Sequence, residues 1–103
     1  YSSNRIKLYY LYNALFTYFD NILNPLFSEK IRNERENALL EIEEYARESD
    51  LIISTMASYF LGKIYLNIEK EPLKGNQHFK TLIERYPQNA IFQELYSESA
   101  RKS

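Results

Sequence analysis

Three features of the 103-residue sequence predict an all-α fold. Chain breakers are scarce, with two glycines and three prolines. The stretches between turn signals are each long enough for a helix, and none is a short alternating run bounded by turn clusters, the mark of a strand. Apolar residues make up 45% and aromatics 16%, which excludes a disordered chain and supplies a modest core for one domain over residues 1–103. The punctuation falls at Asn24-Pro25, Ser49-Asp50, Glu71-Pro72 and Pro87-Gln88-Asn89, leaving five helical segments.

Segment one runs from about Arg5 to Leu23. At 100° per residue, Leu8, Leu11, Tyr12, Leu15, Phe16, Phe19, Ile22 and Leu23 share one wide apolar face, with Asn13, Thr17, Asp20 and Asn21 opposite. Segment two runs from about Glu29 to Glu48, with Ser28 as its N-cap. Its apolar stripe is narrow: Ile31, Ala38, Ile42 and Tyr45. Lys30–Glu34, Arg32–Glu36 and Glu43–Arg47 stand four apart and can pair weakly. Segment three, Leu51 to Ile68 with Asp50 as N-cap, is apolar nearly all round and carries Lys63 as its one charge, so neighbours on several sides are expected. Segment four, Leu73 to Tyr86, places Gly75, Phe79, Leu82, Ile83 and Tyr86 on one face. Segment five, Ala90 to Lys102, offers Phe92, Leu95 and Tyr96 and ends on polar "SESARKS".

Composition excludes several functions. A net charge of −1 gives no pull toward nucleic acid. Residues 28–50 hold eight acids against four bases, which reads as a solvated helix surface. The absence of cysteine removes disulfides, thiol catalysis and zinc–cysteine sites. His78 is the single histidine and cannot build a histidine metal site. Glu41, Glu43, Glu44 and Glu48 are clustered in sequence but point several ways around a helix. No nucleophile–base pair and no glycine-rich phosphate loop is present, so the expectation is a protein that is not an enzyme and takes no metal or cofactor. The chain begins at Tyr1 rather than Met, which reads as a processed product or an excised domain.

A glycine inside a helix costs about 1 kcal/mol relative to alanine, so Gly62 in "YFLGKIYLNIEK" needs a compensating contact. Ser54, Ser58 and Gly62 are spaced by four and form a ridge of small side chains that lets another helix approach closely. In a bilayer such a ridge would be a dimerisation face. Leu51–Ile68 reaches only the lower limit for a span, and it carries Lys63, Asn67, two serines and a threonine, so a buried helix is the better reading.

The run Leu61-Gly62, Tyr65, Gly75, Phe79, Leu82 and Pro87 resembles a tetratricopeptide repeat, a helical hairpin of about 34 residues. The match covers about Thr55 to Asn89. It departs from the family pattern at Ser58, where the family has Trp, and at Glu69–Lys74, where the connection is one residue longer. The resemblance implies that Gly62 packs against Gly75 where the hairpin's helices cross. It implies antiparallel hairpins stacked as a short right-handed solenoid of about five helices: an irregular first hairpin over 5–48, the best repeat over 51–87, and a capping helix over 90–102. In the irregular hairpin Ala38, Ile42 and Tyr45 take second-helix positions. In segment five, Tyr96 and Ser97 stand where Leu-Gly would fall.

Relatives of this kind bind proteins or peptides on the concave face of their first helices. The resemblance therefore implies a non-catalytic interaction module, a scaffold or adaptor, with Met56, Tyr59, Lys63, Leu66 and Asn67 on the binding face. Tyr59, Lys63 and Asn67 form a ridge that can stack on and hydrogen-bond to an extended segment; the competing reading packs Tyr59 and Leu66 against segment one or five and leaves only Lys63 in water. The "RYPQN" ending resembles bacterial members of the family and leans toward the cell envelope or periplasm. Two alternatives stay open: a membrane-associated amphipathic protein, and a segment that only completes a longer solenoid. Tyr9, Tyr10, Tyr12, Phe16, Tyr18 and Phe19 crowd segment one, so self-association through residues 5–23 is a further expectation.

Overall fold

The structure, a computed structural model, describes residues 2–23 and 29–103 and side chains from 5–23 and 33–103. Among the described residues it forms five helices and no strand: α1 (Ser2–Leu23), α2 (Glu29–Ala46), α3 (Leu51–Asn67), α4 (Pro72–Arg85) and α5 (Ala90–Lys102). Ser28, expected as the N-cap of α2, and Asn24-Pro25 lie outside the described residues, as do the side chains of Lys30, Ile31 and Arg32. The chain divides into two compact units, Tyr1–Ala57 and Ser58–Ser103, with the division inside α3. No described helix is long and apolar enough to cross a membrane.

In the first unit α1 packs on α2. Leu11, Ala14, Leu15 and Tyr18 of α1 are buried, as are Ala38 and Ile42 of α2 and Ile53, Ser54 and Ala57 of α3. The buried stripe of α1 is narrower than expected and turned away from the expected centre. Leu11 and Leu15 are core, but Tyr12 and Phe16 are 54% and 68% exposed, and Ala14 and Tyr18 are buried instead. The reason lies in α2: the described part of its stripe, Ala38, Ile42 and Tyr45, is narrow and covers only one arc of a helix that is apolar through most of its circumference. Lys7 Nζ donates to Glu48 Oε1 at 2.6 Å across this unit, a partly exposed pair of the kind that contributes at most about 1 kcal/mol.

Tyr45 is half-buried, and its phenol is raised above the ordinary 10.0, first by burial and then by Glu41, Glu48, Tyr10 and Glu44. Folding therefore favours the neutral phenol. Its contribution is complete below pH 10 and is lost as pH climbs through the raised value. The urea midpoint is expected to fall above pH 10, and to fall less steeply in Tyr45→Phe; parallel declines would remove Tyr45 as the cause.

Helix ends follow local chemistry. α2 ends two residues before the expected Glu48, where Arg47 N–H donates to Glu44 O and Glu48 N–H to Tyr45 O, both at 3.1 Å, tightening the last turn. Asp50 caps α3 as expected, its Oδ1 accepting from the Ile53 N–H at 3.0 Å. Lys70, just past α3, has φ 58°, the left-handed value that closes many helices. Pro72 opens α4 at its first turn, where a missing N–H costs nothing. Asn89 caps α5, its side chain accepting from Phe92 N–H at 3.0 Å. Asp50→Ala and Asn89→Ala are each expected to lower stability by about 1 kcal/mol, read from urea unfolding; no change would mean that these side-chain-to-backbone bonds carry no net weight.

Candidate interaction site

The second unit is built around the crossing of α3 and α4. Ser58 and Gly62 are buried on α3, and Gly75, Phe79 and Leu82 on α4. The two glycines meet, as expected. A Cβ added to Gly75 would stand 2.9 Å from the Gly62 carbonyl oxygen and 3.3 Å from the Leu66 nitrogen. A Cβ on Gly62 would stand 2.7 Å from Cδ1 and Cζ of the Phe79 ring. One glycine thus admits a backbone and the other a ring, and the lost helix propensity is offset by this closeness.

Most of the positions that carry the repeat resemblance are buried. Leu61, Tyr65, Phe79 and Leu82 are buried. Pro87 is exposed in the turn after α4, where Asn89 N–H donates to Tyr86 O at 3.1 Å. Leu66, Phe79 and Leu82 form a core cluster, and Tyr59, Phe92, Leu95 and Tyr96 pack around it. α5 lies on α4, and Tyr59 and Tyr86 each stand beside the Phe92 ring, with centroids 6.3 and 5.8 Å away.

The polar end of α5 is not wholly polar in its surroundings. Ser99 is fully buried. Its hydroxyl donates to Tyr96 O at 2.8 Å and accepts from Asn76 Nδ2 at 3.0 Å. A buried hydroxyl needs such partners. Sequence reasoning missed this clasp between α4 and α5, because an isolated serine in "SESARKS" carries no periodic signal.

His78 is half-buried on α4. Its ring stacks on Tyr65, centroids 5.9 Å apart and planes within 9°. Lys74 Nζ lies 5.4 Å from the same Tyr65 ring, a cation–π contact.

The five expected partner-binding residues separate. Leu66 is only 4% exposed and belongs to the core cluster, so it has almost no surface for a partner. Tyr59 is half-buried, held between Phe60 and Phe92. Lys63 is half-buried with its ammonium 5.8 Å from the Tyr59 ring centroid, and Asn67 is exposed at the end of α3. Met56 is half-buried and belongs to the first unit. What remains accessible in the second unit is a short ridge: the outer edge of Tyr59, the Lys63 ammonium over it, and the Asn67 amide one turn on. A cation and an amide beside an aromatic edge can donate to a carboxylate or to main-chain carbonyls, and the aromatic edge can pack against a flat side chain.

In the first unit a recess between α1 and α2 is lined by Asn13, Thr17, Glu34, Asn37 and Glu41, among others. Among the described residues no three His, Asp or Glu side chains converge as a metal site would require. No protein-family model, curated protein or solved structure matches the chain.

Proposed function

We propose that the chain is a non-catalytic protein-interaction module built from tetratricopeptide-type helical hairpins, binding a peptide or protein segment along the Tyr59–Lys63–Asn67 ridge of α3. The observation that carries this reading is the α3–α4 crossing, where both glycines of the chain serve one close helix–helix contact beside buried Leu66 and Phe79. A hairpin locked in this way is a rigid support, and its first helix presents a cation and an amide with a defined aromatic backing. The ligand best suited to the ridge is an extended segment with a carboxylate and an aromatic or flat apolar residue nearby.

The test is selection of binders from a displayed library of random peptides. The variant for the counter-screen is Lys63→Glu/Asn67→Ala; it leaves Tyr59 in place, because Tyr59 supports the core. Enrichment of acidic extended peptides that lose binding at least tenfold to the variant, with its helicity unchanged, is the expected result. Peptides held equally by parent and variant would remove the ridge as the site.

A further inference from the structure

We propose that the exposed aromatic face of α1 is covered by a second copy of this chain, in an antiparallel, two-fold symmetric helix pair. The face lies opposite the buried one. Leu11, Ala14, Leu15 and Tyr18 turn inward, and on the far side Tyr9, Tyr12 and Phe16 are 65%, 54% and 68% exposed. Arg5 and Asp20 are exposed at the two ends of the same strip.

The strip is self-complementary in one direction only. Pairing each position with its mirror about the midpoint of residues 12 and 13 sets Arg5 against Asp20 of the second copy, Tyr9 against Phe16, and Tyr12 and Asn13 near the two-fold axis. Every contact then occurs twice, as a two-fold interface requires. Arg5 and Asp20 are fifteen positions apart, about 22 Å along a helix, so both ion pairs fit one nearly antiparallel crossing. A parallel pair would instead stack Arg5 on Arg5 and Asp20 on Asp20, with like charges repelling at both ends.

The area is sufficient for a reversible dimer. An aromatic side chain carries about 200 Å², so three rings exposed to this degree bring about 370 Å² per copy. Exposed Ile6 and Leu23, 52% and 77%, flank them, and with these the interface comes close to the ~1,000 Å² in total that separates specific association from incidental contact. The expected affinity is accordingly modest and the equilibrium depends on concentration.

The experiment is sedimentation equilibrium of the full chain over a range of concentrations, with Phe16→Asp, Arg5→Asp, Asp20→Arg and the double reversal Arg5→Asp/Asp20→Arg, each checked for helicity. Phe16→Asp is expected to weaken dimerisation at least tenfold. Each single charge reversal is expected to weaken it several-fold at low salt, and the double reversal to restore it. The chain has no cysteine, so single introduced thiols report geometry cleanly. Asn13→Cys, beside the axis, should cross-link readily on oxidation, and Arg5→Cys, about 22 Å from its copy, should not. A monomer at every concentration would overturn the proposal. So would a dimer indifferent to Phe16→Asp, or one that cross-links through Arg5→Cys as readily as through Asn13→Cys.

Discussion

Replacing Gly75 with alanine is expected to destabilise the protein by about 2 kcal/mol, although alanine is the better helix former by about 1 kcal/mol. The obstacle is backbone. The new methyl would stand 2.9 Å from the Gly62 carbonyl oxygen and 3.3 Å from the Leu66 nitrogen, and neither can swing aside without moving α3 against α4. No trimming of a neighbouring side chain relieves this, so a second substitution nearby should not rescue Gly75→Ala. Urea unfolding followed by circular dichroism measures it. A gain in stability, the result propensity alone predicts, would show that the crossing has room for a methyl group.

Phe79 carries the largest single expected effect. It is fully buried, its ring lies over Gly62, and it joins Leu66 and Leu82 in the core cluster. Phe79→Ala removes the ring and leaves a cavity lined by groups fixed in helices, a change that costs about 3–5 kcal/mol. The contact with Gly62 adds a sharper test. Gly62→Ala alone should destabilise, because its methyl would run into the ring, nearest Cε1 and then Cδ1 and Cζ. In a Phe79→Leu background the same change should be much milder, as the ring is gone and the helix propensity of alanine remains. A double-mutant cycle would therefore show strong coupling between positions 62 and 79 and none of comparable size between 75 and 79. Simple additivity at 62 and 79 would refute the ring-on-glycine contact.

The helix boundaries were legible in the sequence because the chain marks them with local chemistry. Asp50 is a cap by residue type and by geometry, Pro72 stands at a first turn, and the Pro87–Asn89 turn separates α4 from α5. The glycine crossing was legible for a different reason: small residues four apart have few uses on a helix besides close approach. The exposed face of α1 was not legible. Periodicity finds the inward side only when the outward side is polar, and α1 is apolar through most of its circumference, so the choice fell to the narrow stripe of α2. Ser99 was hidden because its burial depends on Asn76, 23 residues away, which no local pattern encodes. Leu66 was placed on a binding face by resemblance and lies in the core, since helix α3 is covered on more than one side in its second half.

The stack of His78 on Tyr65 makes the chain its own spectroscopic gauge. With one histidine in 103 residues, the two carbon-bound imidazole protons give one assignable line each once histidine alone is isotopically labelled. A ring lying nearly parallel to the imidazole, 5.9 Å between centroids, displaces those lines through its circulating π electrons. The displacement exists only while α3 and α4 are seated on each other, so it reports closure of that hairpin separately from the helicity that circular dichroism sums over the whole chain. Tyr65→Leu should return the lines to their unshifted positions. On urea titration the lines should move with the loss of the hairpin, whatever the first unit does at that concentration.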